Sequence, residues 1–412
     1  MRLRTIVPFL VVIGISSVFA RQKDWLEPLR EIPVPAAKGS FAPSLKTMSD
    51  SRVLISWLEP GAKAKHALRY AKTDSKNWSE ARTAVEGDTF FANWADVPSV
   101  VALQDGRFVA HWLNKSGAST YAYDVNVKIS SDGGATWSST MSPHHDGTET
   151  EHGFVSFFDS PANGSGLVWL DGRAMANANA ANHDSHGAGG DMSLRALFIN
   201  KVNDFENEAI LDARTCECCP TAAVATDHGI VVAYRDRSNE EVRDIYATRY
   251  EDGKWSSPRP VHRDDWNISG CPVNGPALAT DGKNVVLVWY TAANGEPKVN
   301  AAFSNDEGKT FGQPILLSEG IPLGRVAVVL LADGSAVATW IEHGEKAARL
   351  VARRVTNGGT LSSPYLVKAI SADRASGYPR LARLGTYLFF AWTDTADGKM
   401  VKLGVAALMR QP

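Results

Sequence analysis

An aromatic residue closing an apolar run recurs seven times in this 412-residue chain, at Trp57, Trp112, Trp169, Tyr234, Trp289, Trp340 and Trp392, at intervals of 55, 57, 65, 55, 51 and 52 residues. Spacing that regular marks a repeat architecture, in which each unit is one supersecondary element that cannot bury its apolar face alone. Every unit has the same grammar. A short Pro- or Gly-marked strand comes first, as in Phe41-Ala-Pro-Ser-Leu45, Asp96-Val-Pro-Ser-Val100 and Gly377-Tyr-Pro-Arg-Leu381. A turn such as Asp105-Gly106, Asp281-Gly282 or Asp333-Gly334 follows, and then the apolar run, as in Val285-Val-Leu-Val-Trp289. A hydrophobic share of 44% supplies enough apolar material for a large all-β core.

Third and fourth strands are visible as well. Asp124-Val-Asn-Val-Lys-Ile-Ser130 alternates and runs into Ser130-Ser-Asp132-Gly-Gly134-Ala-Thr136-Trp137; Val299-Asn-Ala-Ala-Phe303 runs into Ser304-Asn-Asp306-Glu-Gly308-Lys-Thr310-Phe311. In such a segment the Asp bonds backbone amides across a tight turn, and the Gly takes a conformation other residues avoid. These two segments match the Asp-box, S-x-D-x-G-x-T-[W/F], and the mature chain resembles the sialidase-like (Asp-box, or BNR-repeat) β-propeller family. Members of that family with sialidase activity have six blades, whereas the count here is seven. A further pattern, aromatic or Leu, two residues, then Pro, opens the fourth strands at Trp255, Phe311 and Leu361, and it recurs at Trp25-Leu-Glu-Pro28. The last repeat stops after its third strand, so the N-terminal segment is expected to supply the missing outer strand and remove an exposed edge. The reading is an all-β propeller of seven four-stranded blades, with six blades as the alternative.

Residues 1–20 read as an export signal: Arg2 and Arg4, an apolar stretch over 6–15, and a small-residue cleavage site at Val18-Phe-Ala20. The expectation is a periplasmic or secreted single-domain protein over 21–412, with no further membrane span. A mildly acidic chain without a basic stripe excludes nucleic acid as the expected partner.

Chemistry is expected on the face carrying the starts of the innermost strands and the loops after the second strands, because the Asp-box turns lie opposite. That face collects Asp96, Glu151, His152, the Cys216-Glu217-Cys218-Cys219 run, Cys271, Arg325, Arg374 and Tyr378 from the first set. The second set adds Glu59, Asn114, Asp171, Arg173, Arg235, Asp236, Arg237, Thr291, Glu342 and Asp394. A long insertion over 174–191, with His183 and His186, overhangs it. The family resemblance implies guanidinium forks for a substrate carboxylate, with a Tyr activated by Glu as nucleophile and an Asp as acid/base. On this chain those roles fall to Arg173, Arg235, Arg237 and Arg325 with Asp236 for the substrate, Tyr378 and Glu217 for the nucleophile pair, and Asp96 for the acid/base. An acidic glycan is the implied partner, and no cofactor is required. A non-catalytic glycan- or protein-binding propeller is the alternative. The four cysteines, Cys216, Cys218, Cys219 and Cys271, are read either as two disulfides joining blades four and five or as a copper or zinc site, with His152 as a further ligand. Strand alternation would point Cys216 and Cys218 one way and Cys219 the other.

Overall fold

The computed structural model describes residues 24–160, 164–177 and 190–409. The export signal and most of the 174–191 insertion, including His183 and His186, lie outside the described residues. Seven antiparallel sheets stand in a ring; in six of them the strands follow chain order from the innermost outwards, and in the last blade the outermost strand comes from the N-terminal segment. The innermost strands are Phe41–Thr47, Ser99–Ala102, His152–Ser160, Ala222–Ala225, Ala277–Thr280, Pro322–Leu330 and Arg380–Leu384. Adjacent blades bury one another's apolar faces, so each core cluster mixes residues of neighbouring sheets. Val286 and Val288 of blade five, for example, pack with Ala336, Ala338 and Trp340 of blade six.

The ring closes as the sequence implies. Arg30–Ile32 pairs antiparallel with the last strand, Met400–Ala407, with Arg30 opposite Val405 and Ile32 opposite Leu403. Trp25 is buried, and its indole donates to the Ser363 carbonyl at 3.0 Å. The last blade is thus completed by the first described residues of the chain.

Both Asp-boxes form the expected turns. Asp132 accepts from the Thr136 amide (2.9 Å) and hydroxyl (2.6 Å), and Asp306 repeats the pattern with Thr310. The glycines are needed for close approach between blades. A Cβ on Gly134 would lie 2.0 Å from the Tyr70 hydroxyl, and one on Gly308 would lie 2.7 Å from Val231. Two blades depart from four regular strands, and in blade four the outer strand is split into Lys254–Trp255 and Arg259–Pro260, both paired with Ile245–Glu251. In blade two the outer strand shrinks to a reciprocal pair of bonds between Val127 and Met141, 2.8 and 2.9 Å. Pro143, two residues on, has no N–H to continue a ladder.

Deleting residues 24–32 should expose the edge of the last strand and strip away the burial of Trp25, Leu26 and Ile32. A loss on the order of 5 kcal/mol is expected from those three side chains, together with concentration-dependent aggregation, measured as the urea midpoint and by light scattering.

Candidate functional site

The polar residues that follow the second strands turn out to serve the fold. On a strand, positions two apart share a face, so a residue two beyond each Trp can meet its indole N–H. Trp57 donates to Glu59 (2.7 Å), Trp112 to Asn114 (3.2 Å), Trp169 to Asp171 (2.8 Å) and Trp340 to Glu342 (3.1 Å). Arginines then neutralise the carboxylates. Arg349 bonds Glu342 at 2.6 Å, and Arg173 closes on Asp171 through Nε and Nη2, both at 2.7 Å. Arg173 also reaches Glu208 at 3.1 Å, so this expected substrate arginine is engaged within the protein.

Blade four lacks the indole, and its loop is free for other contacts. The Tyr234 hydroxyl donates to Asp212 of blade three. Asp236 bonds Asp212 too, and burial, reinforced by the Asp212 charge, lifts its carboxyl to about 7. Asp236 therefore belongs to a carboxyl pair between blades. Arg235 gives Nε to the Asn274 carbonyl (2.9 Å), Nη1 to the Arg243 carbonyl (2.6 Å) and Nη2 to the Tyr290 carbonyl (2.7 Å). Every nitrogen of that guanidinium is occupied, with Trp266 under it at 4.8 Å. Glu217 lies between Arg237 and Arg243, the latter at 2.8 Å, and both arginines also bind Glu241.

That network separates the expected nucleophile pair. Both Glu217 oxygens rest on arginines, while the Tyr378 hydroxyl donates to the Val273 carbonyl. Burial also pushes the Tyr378 phenol well above its ordinary value. Among the described residues no Tyr378–Glu217 hydrogen bond forms. Tyr378 instead roofs the central channel, a cavity of about 280 Å³ that Arg380 also lines.

The structure assembles a different tyrosine–carboxylate group. Tyr123 begins the third strand of blade two and donates its hydroxyl to Glu151 Oε1, just ahead of the third innermost strand. A parallel bridge between these two residues holds them together across the blade boundary. Asp96 joins them. Its backbone N–H and that of Ala95 are capped by Asn93 Oδ1 at 2.7 Å, and its Oδ2 accepts from the Phe154 amide at 2.8 Å. Asp96 and Tyr123 meet over Gly153, where a Cβ would lie 1.9 Å from Asp96 Oδ2 and 3.2 Å from the Tyr123 ring. Burial raises Asp96 to about 7. Burial, with the charges of Asp96 and Glu217, raises Glu151 to about 8 against the Tyr123 hydrogen bond. Sequence reasoning missed Tyr123 because it opens a third strand rather than a loop; the signal available was the acid standing immediately before the third innermost strand.

Beside this group, Trp94 reaches across the mouth and stacks on Tyr378 with ring centroids 6.0 Å apart. Arg325 lies 4.7 Å over Trp94 and Arg374 5.8 Å over it. Arg325 holds φ 57°, a left-handed conformation stabilised by its amide bonding Asn274 Oδ1 at 2.7 Å. Its guanidinium bonds Ser376 Oγ (2.9 Å) and the Gly377 carbonyl (3.1 Å). Neither Arg325 nor Arg374 has a carboxylate partner among the described residues.

The cysteines are all free thiols, and no disulfide joins blades four and five. Their segment is a turn ahead of the strand Ala222–Ala225, so strand alternation does not apply and the three thiols converge. Cys216 Sγ lies 3.2 Å from Cys219 Sγ and 3.9 Å from Cys218 Sγ. Cys271 sits against Cys218. His152 does not join them. Its Nδ1 is 3.5 Å from Asp124 and its Nε2 3.3 Å from Asp146, with His144 stacked on the ring at 3.8 Å.

No protein-family model matches the chain, and no curated protein matches it. Solved structures do. The α-L-arabinofuranosidase Arb93A of Fusarium graminearum, bound to an iminosugar inhibitor, superposes with a TM-score of 0.51 at 13% identity, over 93% of this chain and 98% of that one. The same enzyme with arabinobiose gives 0.51 at 12% identity, covering 94% and 100%. The phage phi92 endosialidase gives 0.51 at 7% identity, covering 93% and 69%. The likeness is one of fold, and these neighbours are glycoside-hydrolase propellers.

Carboxyls held high in the folded chain bind a proton more tightly than they do unfolded. Their contribution is complete below the ordinary carboxylate range and is lost as pH rises through the folded value. Buried neutral His111 and His144, lowered by desolvation to about 3 and about 4, oppose this only below about 6.5. Stability should therefore fall between pH 6.5 and 8 as Asp96, Asp236 and Glu151 ionise. The slope should reach roughly 1.4 kcal/mol per pH unit for each group still protonated, and Asp96→Asn should flatten it, measured by denaturant midpoints across that window.

Proposed function

We propose that the protein is an exported glycosidase acting on acidic glycans, with sialosides as the substrate class. The observation that carries this reading is the Asp96–Tyr123–Glu151 group beside two guanidiniums, Arg325 and Arg374, that lack acidic partners. Guanidinium forks suit a sugar carboxylate. A phenol suits such a substrate as nucleophile because it carries no charge to repel that carboxylate. In the retaining route Glu151 accepts the phenolic proton while Tyr123 Oη attacks the anomeric carbon. Asp96 protonates the departing oxygen and then takes a proton from the water that cleaves the glycosyl–tyrosine bond. An Asp held near 7 can both give and take a proton near neutrality, and Glu151, held near 8, accepts the phenolic proton in its ionised form. The glycosidase-type neighbours are consistent in fold with this reading, and the leader-like residues 1–20 support export.

A second reading, a glycan-binding propeller without turnover, is favoured by the burial of Asp96 and Tyr123, each 1% exposed. Fluorophore release from a 4-methylumbelliferyl sialoside separates the two. Hydrolysis predicts turnover that falls about 100-fold or more in Tyr123→Phe and Glu151→Gln, with KM rising about tenfold in Arg374→Ala. Absence of turnover with retained binding on an acidic-glycan array would establish the second reading, and turnover untouched by Tyr123→Phe would remove the proposed nucleophile.

A further inference from the structure

The cysteine turn is held rigidly and presents sulfur alone. The Cys216 amide bonds the Arg235 carbonyl at 3.0 Å, and the Thr215 amide bonds the Met192 carbonyl at 2.8 Å. Further along, Pro220 is pressed so close to Gly275 that a Cβ there would lie 1.9 Å from the Pro220 carbonyl oxygen. Between these anchors the sulfurs of Cys216, Cys218 and Cys219 all lie within 4.8 Å of one another. Sulfurs bound to one ion at about 2.3 Å stand roughly 3.8 Å apart, close to the 3.9 and 3.2 Å measured from Cys216. Only small side-chain adjustments separate the observed arrangement from a ligand triangle.

N–H donors are aimed at two of the sulfurs. Arg243 Nη1 donates to Cys216 Sγ at 3.3 Å, and the Asn274 amide donates to Cys219 Sγ at 3.4 Å. N–H donors directed at sulfur stabilise its anionic form and tune a bound metal. Oxygen and nitrogen donors are turned elsewhere: Glu217 is held by two arginines, and His152 faces Asp124 and Asp146. An all-sulfur set selects soft cations over magnesium, calcium or manganese. Three sulfurs clustered together suit a monovalent d10 ion, whereas structural zinc sites close with four ligands. Cys216 and Cys219 are buried, while Cys218 and Cys271 are partly exposed, which gives an ion an entry side.

We propose that Cys216, Cys218 and Cys219 bind one Cu(I) ion as a three-thiolate site, with Cys271 guarding its open side. Binding releases the thiol protons that remain and involves no electron transfer. None of its ligands belongs to the Asp96–Tyr123–Glu151 group.

The test is anaerobic titration of the reduced full chain with Cu(I) against bathocuproine disulfonate. The expected result is one equivalent withdrawn from the chelator, a thiolate-to-copper absorption band, and only sulfur neighbours in X-ray absorption. Cys216→Ser and Cys219→Ser should each weaken binding about 100-fold or more, and Cys271→Ser less than tenfold. Failure of the wild-type chain to compete with the chelator would overturn the proposal. So would affinity unchanged in Cys219→Ser, or a parallel Zn(II) titration showing tight four-sulfur binding where Cu(I) fails to compete. If the serine variants do not fold, iodoacetamide labelling of the native chain serves instead. Cu(I) should protect three of the four thiols, and equal labelling of all four with and without copper would refute the site.

Discussion

The hydrogen bond from a buried indole to the side chain two residues further on is the interaction the rest of this ring depends on. It ends the second strand of four blades at a fixed point and fills the space between sheets, and where the acceptor is a carboxylate (Glu59, Asp171 and Glu342) arginines of the third strand or the following loop neutralise it. A buried carboxylate without such partners would be strongly unfavourable. The polar residues around the mouth are therefore mostly structural. Three blades lack this bond: in blade five Trp289 donates to Asp264 instead, in blade seven the Trp392 indole has no hydrogen-bond partner among the described residues, and blade four has no Trp at this position. With Tyr234 in place of Trp, the loop of blade four carries no indole acceptor: Arg237 joins Arg243 on Glu217, Asp236 pairs with Asp212, and Arg235 binds backbone carbonyls.

The arginines divide accordingly. Arg173, Arg237 and Arg243 are matched to carboxylates, and Arg235 is saturated by backbone carbonyls. Arg325 and Arg374 are left without an acid, both beside Trp94. Counting arginines on a face says little about anion binding. What matters is which guanidiniums the fold leaves uncompensated, and that is decided by neighbours from other blades.

The periodic parts of the molecule were legible in the chain itself. The aromatic period, the two Asp-boxes and the Trp25–Pro28 segment each report a local geometry, and local geometry is written in contiguous residues. The site was legible only as a neighbourhood. Asp96 and Glu151 stood on the right face, but Tyr123 belongs to the next sheet round and meets Glu151 through a parallel bridge that no sequence spacing announces. Tyr378 and Glu217 both precede innermost strands, yet one roofs the channel and the other is enclosed by arginines. Alternation misdirected Cys219 because the run containing it is bent by a turn and pinned at Pro220, where strand periodicity does not hold.

The pairing of Arg30–Ile32 with Met400–Ala407 has a consequence for biogenesis. Synthesis makes the first of these segments well before the second, so the Arg30–Ile32 strand waits unpartnered until all seven blades have been made. The seam joins stretches from opposite ends of the ring, and bringing such distant stretches together is entropically slow. Until it forms, the nascent molecule is an open arc with two unprotected margins; vectorial synthesis therefore makes completion of the circle the final commitment to the native state.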